Sequence, residues 1–372
     1  MNTTSTNQAL AATLQAELDR SLAADPSLPG IVATLRAPHL GLDWSGASGA
    51  VVQGSPDALT ARHAFRIASV TKPFTSAVAL CLHERGRLPL FAPIARLLAA
   101  DLRDALMAAG YAPERITVYH LLTHSSGLRD HAGRSTHYAE AVMGDPSHVW
   151  THAEQVAACM ALGGPLSAPG TRFAYSDTGY LILGDILETV TGLPLHRLMR
   201  TLLHFERLGL EQTHFERHEP TPAGQVRAGQ YIDDVDVVTV DCSCDLSGGG
   251  GLISTTRELA TWFRAAALGE LFDAAQTHSL ALSTPTLLFT PPDALHSALM
   301  RGRVVGLEPS WMHGGAWGLA AGYCPGSDIA WALSFNQLHP GVSTVGIPGD
   351  PAHPSLADRL LTPVQRASHT PA

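Results

Sequence analysis

The chain has 372 residues, a formal net charge of −9 and the composition of an ordinary globular protein rich in Ala, Leu and Gly. That length allows a large core in one or two domains. The acidic balance and the lack of an arginine-rich run argue against a nucleic-acid partner. With no run of about 20 apolar residues, no membrane span is expected.

The five cysteines, Cys81, Cys159, Cys242, Cys244 and Cys324, are odd in number and scattered, so no disulfide framework is expected. The first 22 residues lack the basic start and apolar core of an export signal, and a cytoplasmic location follows as the expectation. Cys242-Ser243-Cys244 has no second pair to complete a structural zinc site, and no H-E-x-x-H occurs. No metal or cofactor is expected.

In chain order, Gln8 to Ala23 reads as an amphipathic helix with Leu10, Leu14, Leu18 and Leu22 on one stripe. Ile31 to Arg36 and Gly41 to Val52 read as the two strands of a hairpin. Thr75 to Glu84 is an apolar helix closed by Gly86. From Arg87 to Asp245 the chain reads as mostly helical. Thr117 caps a short helix from Val118 to His124, and Arg129 to Ser147 reads as a polar loop. Thr151 and Glu154 form a capping box at the head of a helix to Leu162. Thr178 to Thr191 and Leu195 to Leu203 are further helices, with Asp177 or Thr178 as the cap of the first. Asp233 to Asp245 is acidic and β-branched, a strand or a loop. Thr255 and Glu258 form a second capping box, opening a helix to Leu268. Residues 270 to 310 carry no clear pattern. Trp317 to Cys324 and Asp328 to Phe335 are strands joined at Pro325-Gly326-Ser327, and a short helix is expected at Ser355 to Leu361. Strands at both ends of a helical middle imply an α/β domain from residues 1–86 and 246–372 with an inserted helical domain, 87–245.

One stretch carries chemistry by itself. Lys72 is the only lysine in the chain. Lysine, unlike arginine, can lose its proton when desolvated or placed among other charges. Ser69 stands three residues earlier, so one helical turn sets the amine beside the hydroxyl, as activation of a serine nucleophile requires. Pro73 is compatible with a helix start. Ser69 therefore stands at a helix N-terminus, where free N–H groups favour a developing anion.

Three other stretches are candidates for partners. Tyr175-Ser176-Asp177 precedes a helix, and capping does not explain Tyr175; near the lysine cation its phenol pKa is expected to fall. Trp311-Met312-His313-Gly314-Gly315-Ala316-Trp317-Gly318 opens a strand whose glycines allow close backbone approach. Its edge could supply a second oxyanion donor beside the Ser69 N–H. Ile116 to Leu128 is a capped short helix and a turn. The run Ser247-Gly248-Gly249-Gly250-Gly251 lacks the lysine and spacing of a P-loop and reads as close backbone approach beneath a pocket.

Taken together, SVTK, HLLTHSSGL, PGTRFAYSDTGYLILGDILE, GGGGLISTTRELATWF and HGGAWG, in this order, resemble the serine β-lactamase and penicillin-binding-protein-like hydrolases, in particular the class C-like branch with its esterases. The resemblance covers roughly residues 8 to 336. It implies an α+β fold, an antiparallel sheet sandwiched with helices plus an all-helical domain, with the site between them. It implies Ser69 as the acylated nucleophile, Lys72 as its deprotonating partner and Tyr175 as acid/base. It also implies the Ser69 and Ala316 N–H groups as oxyanion hole, and His313, Gly314, Gly315, Asp177 and Trp317 beside the substrate.

Two departures bear on the substrate. Asp177 stands where many members have asparagine, and an ionised aspartate cannot donate to an amide. His313 stands where lysine usually binds a substrate carboxylate. Both favour an uncharged small-molecule acyl ester over a β-lactam. Amide, D-peptide, thioester or acyl-transfer chemistry and a catalytically silent binding role are the alternatives. The sequence leaves the oligomeric state open.

Overall fold

The structure, a computed structural model, describes residues 3–133, 137–232, 235–288, 295–338 and 354–369. A seven-stranded sheet runs, in spatial order, Leu42–Gly49, Gly30–Ala37, Ile329–Ser334, Leu319–Cys324, Glu308–Gly315, Arg301–Val305 and Leu295–His296. Every neighbouring pair is antiparallel. The N-terminal hairpin is thus stitched to the last long strand, with Val32 opposite Ser334. The fold is α+β, as the motifs imply.

Alternation along the strands assigns the two faces. Ile31, Ala33 and Leu35 point to one side with Trp331 and Leu333, under Leu14 and Leu18 of the Thr3–Ala24 helix and Leu360 and Val364 of the Leu356–Ser368 helix. Val32, Ala330 and Ala332 point to the other and join the main core with Leu259, Trp262 and Phe263 of the Thr256–Ala267 helix. The Lys72–Glu84 helix runs through that core, and every residue from Lys72 to Leu82 is buried. Phe74 stacks on Trp262, ring centroids 3.8 Å apart, tying this helix to the one beneath the sheet. Burial of such side chains stabilises the fold by roughly 2 kcal/mol each.

Between residues 87 and 245 the long elements are helices, Ala100–Ala108, Val118–Leu122, His137–Gly144, His152–Ala161, Asp177–Thr191 and Leu195–Leu202 among them. Several expectations need correction. The polar stretch Arg129 to Ser147 contains the His137–Gly144 helix, because Tyr138 and Val142, one turn apart, bury against Val237 and Val240 while polar neighbours face water. Ser176 caps the Asp177–Thr191 helix, its Oγ accepting the Gly179 N–H at 3.1 Å. Thr255 caps its helix, but the Glu258 carboxylate turns away to Gln212 and Thr213. Asp233 and Asp234 lie outside the described residues; beyond them come a two-residue strand, Val235–Asp236, and two 3₁₀ turns. The C-terminal helix reaches Ser368, with Pro363 inside it, because Leu360, Leu361 and Val364 all bury. Residues 270 to 288 hold a helix, Ala275–Leu282. Among the described residues no helix is long and apolar enough to cross a membrane.

Candidate active site

The strand Phe65–Arg66 leads into the site and pairs with Leu252–Ser254. Arg66 pins it: Nε donates to Glu216 Oε2 at 2.7 Å, and the backbone N–H donates to Gln230 Oε1 at 2.7 Å. Ala68 then takes a left-handed φ of +45°, a costly conformation for a residue with a Cβ. It starts the 3₁₀ turn Ala68–Thr71, which continues directly into the Lys72–Glu84 helix. Ser69 is half-buried while Ala68 and Val70 are covered. The expected strand-to-helix step is there, and Pro73 sits in the first helical turn.

Lys72 is fully buried, and its Nζ donates to Ser69 Oγ at 2.7 Å and to the Gly249 carbonyl at 2.9 Å. Its third partner is the Asp177 carboxylate. Burial works to discharge the ammonium, but Asp177 and then Tyr175 outweigh it and hold the Lys72 pKa above the ordinary lysine value. The Tyr175 hydroxyl donates to Ser69 Oγ at 2.9 Å. Its phenol does not follow the sequence expectation. Burial and then the Asp177 charge push its pKa up, and the nearby lysine does not compensate. One serine hydroxyl thus lies between an ammonium and a phenol.

The Glu308–Gly315 strand closes the other side. A Cβ on Gly315 would come within 2.5 Å of Ile67 O, so only glycine lets this strand reach the Ser69 turn. Neither the Ser69 nor the Ala316 N–H has an acceptor among the described residues. His313 is buried; its Nδ1–H donates to Gly314 O at 2.8 Å, and its Nε2 has no hydrogen-bond partner among the described residues. Burial and then Lys72 push His313 down to about 3, so it is neutral at physiological pH. Two more buried imidazoles, His124 and His296, join it with Phe173 and Tyr175 in one aromatic wall. Trp317 lies half-buried, packed against both the main core and the small cluster of Tyr138, Val142, Val237 and Val240. Asp177, expected beside the substrate, directs Oδ1 to Lys72.

Some supporting residues were not legible in sequence. His124, in the stretch read only as a capped helix and turn, stacks on Tyr175 with centroids 4.3 Å apart and accepts the Ser176 N–H on Nδ1 at 3.1 Å. Its φ of +51° marks a locally strained turn. Asp130 accepts the Asp177 N–H at 3.1 Å, and burial together with the Asp177 charge raises its pKa to about 7. The glycine run does approach closely: a Cβ on Gly249 would lie 3.3 Å from Asp177 Oδ1.

Fold and site together define the β-lactamase and transpeptidase class. The chain belongs to the Beta-lactamase family, whose profile matches residues 42–348. It is 33% identical over 214 residues to Esterase EstB from Burkholderia gladioli, covering 57% of this chain and 53% of that one. It spans about half the length of the curated relatives it matches. Among solved structures it resembles a D-stereospecific amidohydrolase from Streptomyces sp., at 25% identity and a TM-score of 0.73, over 88% of this chain and 94% of the other. The D-amino acid amidase from Ochrobactrum anthropi SV3 shares the fold, with a TM-score of 0.78 at 23% identity over 97% and 99% of the two chains.

Proposed function

We propose that this chain is a serine hydrolase that forms an acyl-enzyme on Ser69 and acts on small uncharged carboxylic esters. The observation that carries this is the Ser69 hydroxyl held between Lys72 Nζ at 2.7 Å and Tyr175 OH at 2.9 Å. Ser69 Oγ attacks the ester carbonyl, and its proton passes to Lys72 as Lys72 hands one of its own to Asp177. The Ser69 and Ala316 N–H groups receive the oxyanion. On collapse Tyr175 protonates the departing alkoxide and regains its proton through Lys72 from Asp177. Water then repeats the sequence on the acyl-enzyme. The neutral His313 offers no cation for a substrate carboxylate, and Asp177 is engaged by Lys72, which supports an ester over a β-lactam.

An amide substrate is the second reading, favoured by the likeness to the amidohydrolase. We also propose that residues 1–86 and 246–372 form one unit and 87–245 another. A reducing, cytoplasmic setting is supported by five free cysteines. The test is turnover of p-nitrophenyl butyrate, both enantiomers of phenylalanine amide and nitrocefin by wild type and Ser69→Ala. Ester turnover lost in the variant is expected. Amide turnover without ester turnover would replace the first reading by the second.

A further inference from the structure

A second serine, remote in sequence from Ser69, sits in a hydrogen-bonded chain of its own. Ser247 Oγ meets His152 Nε2, and His152 Nδ1 meets Asp185 Oδ1 at 2.7 Å. A carboxylate only accepts, so Nδ1 carries the hydrogen and Nε2 keeps the lone pair that receives the Ser247 proton. The three residues come from three elements. His152 opens the His152–Ala161 helix, Asp185 projects from the Asp177–Thr191 helix, and Ser247 starts the glycine run.

Ser247 also carries a left-handed φ of +70°, rare for a residue with a side chain and commonest at functional turns. The turn packs closely on the Asp177–Thr191 helix, since a Cβ on Gly184 would come within 3.0 Å of Ser247 O. His152 and Asp185, though not Ser247 itself, line a cavity of about 890 Å³ whose walls are largely apolar, with Leu97, Leu102, Val156, Met160 and Ile186, so the cavity meets Ser247 through the His152 ring. Asp101 and Glu188 also line it and set it against anions. The Asp185 hydrogen bond raises the His152 pKa against the effect of burial, which suits a proton acceptor.

We propose that Ser247, His152 and Asp185 form a second acylation site, which takes neutral or cationic esters whose apolar acyl group occupies the adjoining cavity. Ser247 Oγ bonds to the acyl carbon while its proton moves to His152 Nε2. The tetrahedral intermediate collapses, the ester C–O bond breaks, and His152 returns the proton to the leaving alkoxide. Asp185 orients the ring and stabilises the imidazolium. Water, deprotonated by His152, releases the acid and restores Ser247. The site needs no group from Ser69, although both meet the same loop, whose Gly249 carbonyl binds Lys72.

If His152 were only a strut for the loop, Ser247 would be chemically inert, and a serine-directed alkyl fluorophosphonate separates the two cases. Labelling forms a P–O bond on serine, breaks the P–F bond and sends the serine proton to His152 as fluoride leaves. In Ser69→Ala the expected result is about one phosphonyl group per chain, on the tryptic peptide 228–257, and none after Ser247→Ala is added. His152→Gln in the same background slows labelling at least about 100-fold. Circular dichroism and thermal melting confirm that each variant is folded. The wild type provides a reading that depends on no variant: excess probe labels Ser69 and Ser247, each mapped by mass. Label at Ser69 alone overturns the second site and leaves the first intact. Label at Ser247 alone supports the second and sinks the first.

Discussion

The Lys72–Asp177 pair offers the sharpest test of how the Ser69 site is charged. Asp177→Asn keeps the side-chain shape and removes the anion. Lys72 has no exposure to water and Asp177 is 19% exposed, so solvent screens the pair little. Two unit charges about 4 Å apart at an effective dielectric of about 20 attract by about 4 kcal/mol, and this pair is in closer contact. Losing that attraction leaves burial unopposed by Asp177 and lowers the Lys72 pKa. In the wild type the raised Lys72 pKa contributes stability that is complete below the unfolded lysine value of about 10.4 and is lost as pH rises through the folded value. In the variant burial dominates and the lysine deprotonates early. Asp177→Asn is therefore destabilised by about 4 kcal/mol near pH 6, where the wild-type pair is ionised, and the deficit shrinks as pH rises through its lowered Lys72 pKa. Its kcat/KM for p-nitrophenyl butyrate should gain an ascending limb that is absent from the wild type. Urea unfolding from pH 6 to 10 and a pH–rate profile measure both effects. A deficit independent of pH together with an unchanged profile would falsify the view that Asp177 holds the charge on Lys72.

Gly315→Ala should lower the melting temperature and cost about 1–3 kcal/mol, because its Cβ would lie 2.5 Å from Ile67 O. Gly314→Ala, which meets only Leu319 O at 3.7 Å, should melt like wild type, and equal melting of the two variants would refute the close approach. Burial, opposed by Lys72 but helped by Asp177, pushes the Asp245 carboxyl up to about 7, so the native state holds its proton where the unfolded chain has lost it. Wild-type stability should fall between about pH 4 and pH 7, and Asp245→Asn should gain on it across that window by up to about 4 kcal/mol, read by urea unfolding. His124→Ala removes the stack on Tyr175 and the acceptor for the Ser176 N–H, so kcat for the ester should drop about tenfold with little change in KM. Steady-state kinetics that show a change in KM alone would place His124 in substrate binding instead.

Local chemistry was readable where a signal lies within one turn or one strand. Ser69 and Lys72 are three apart, the Thr117 and Thr151 caps need four residues, and the Leu319–Cys324 and Ile329–Ser334 hairpin follows from a turn between two apolar runs. The His137–Gly144 helix was missed because two buried residues in a polar stretch give little periodicity. His124 gave no signal at all, because its contact with Tyr175 spans about 50 residues of chain.

The sequence by itself determined the order of motifs, the sole lysine, the family and the positions of most long elements, since caps, breakers and apolar period act over a few residues. Only the tertiary structure decided the charge of the site. Burial and Coulomb interaction depend on distance in space, and the carboxylate of Asp177 reaches Lys72 from 105 positions away. The same holds for Ser247, His152 and Asp185, which no spacing rule links and which three packed elements bring into one line.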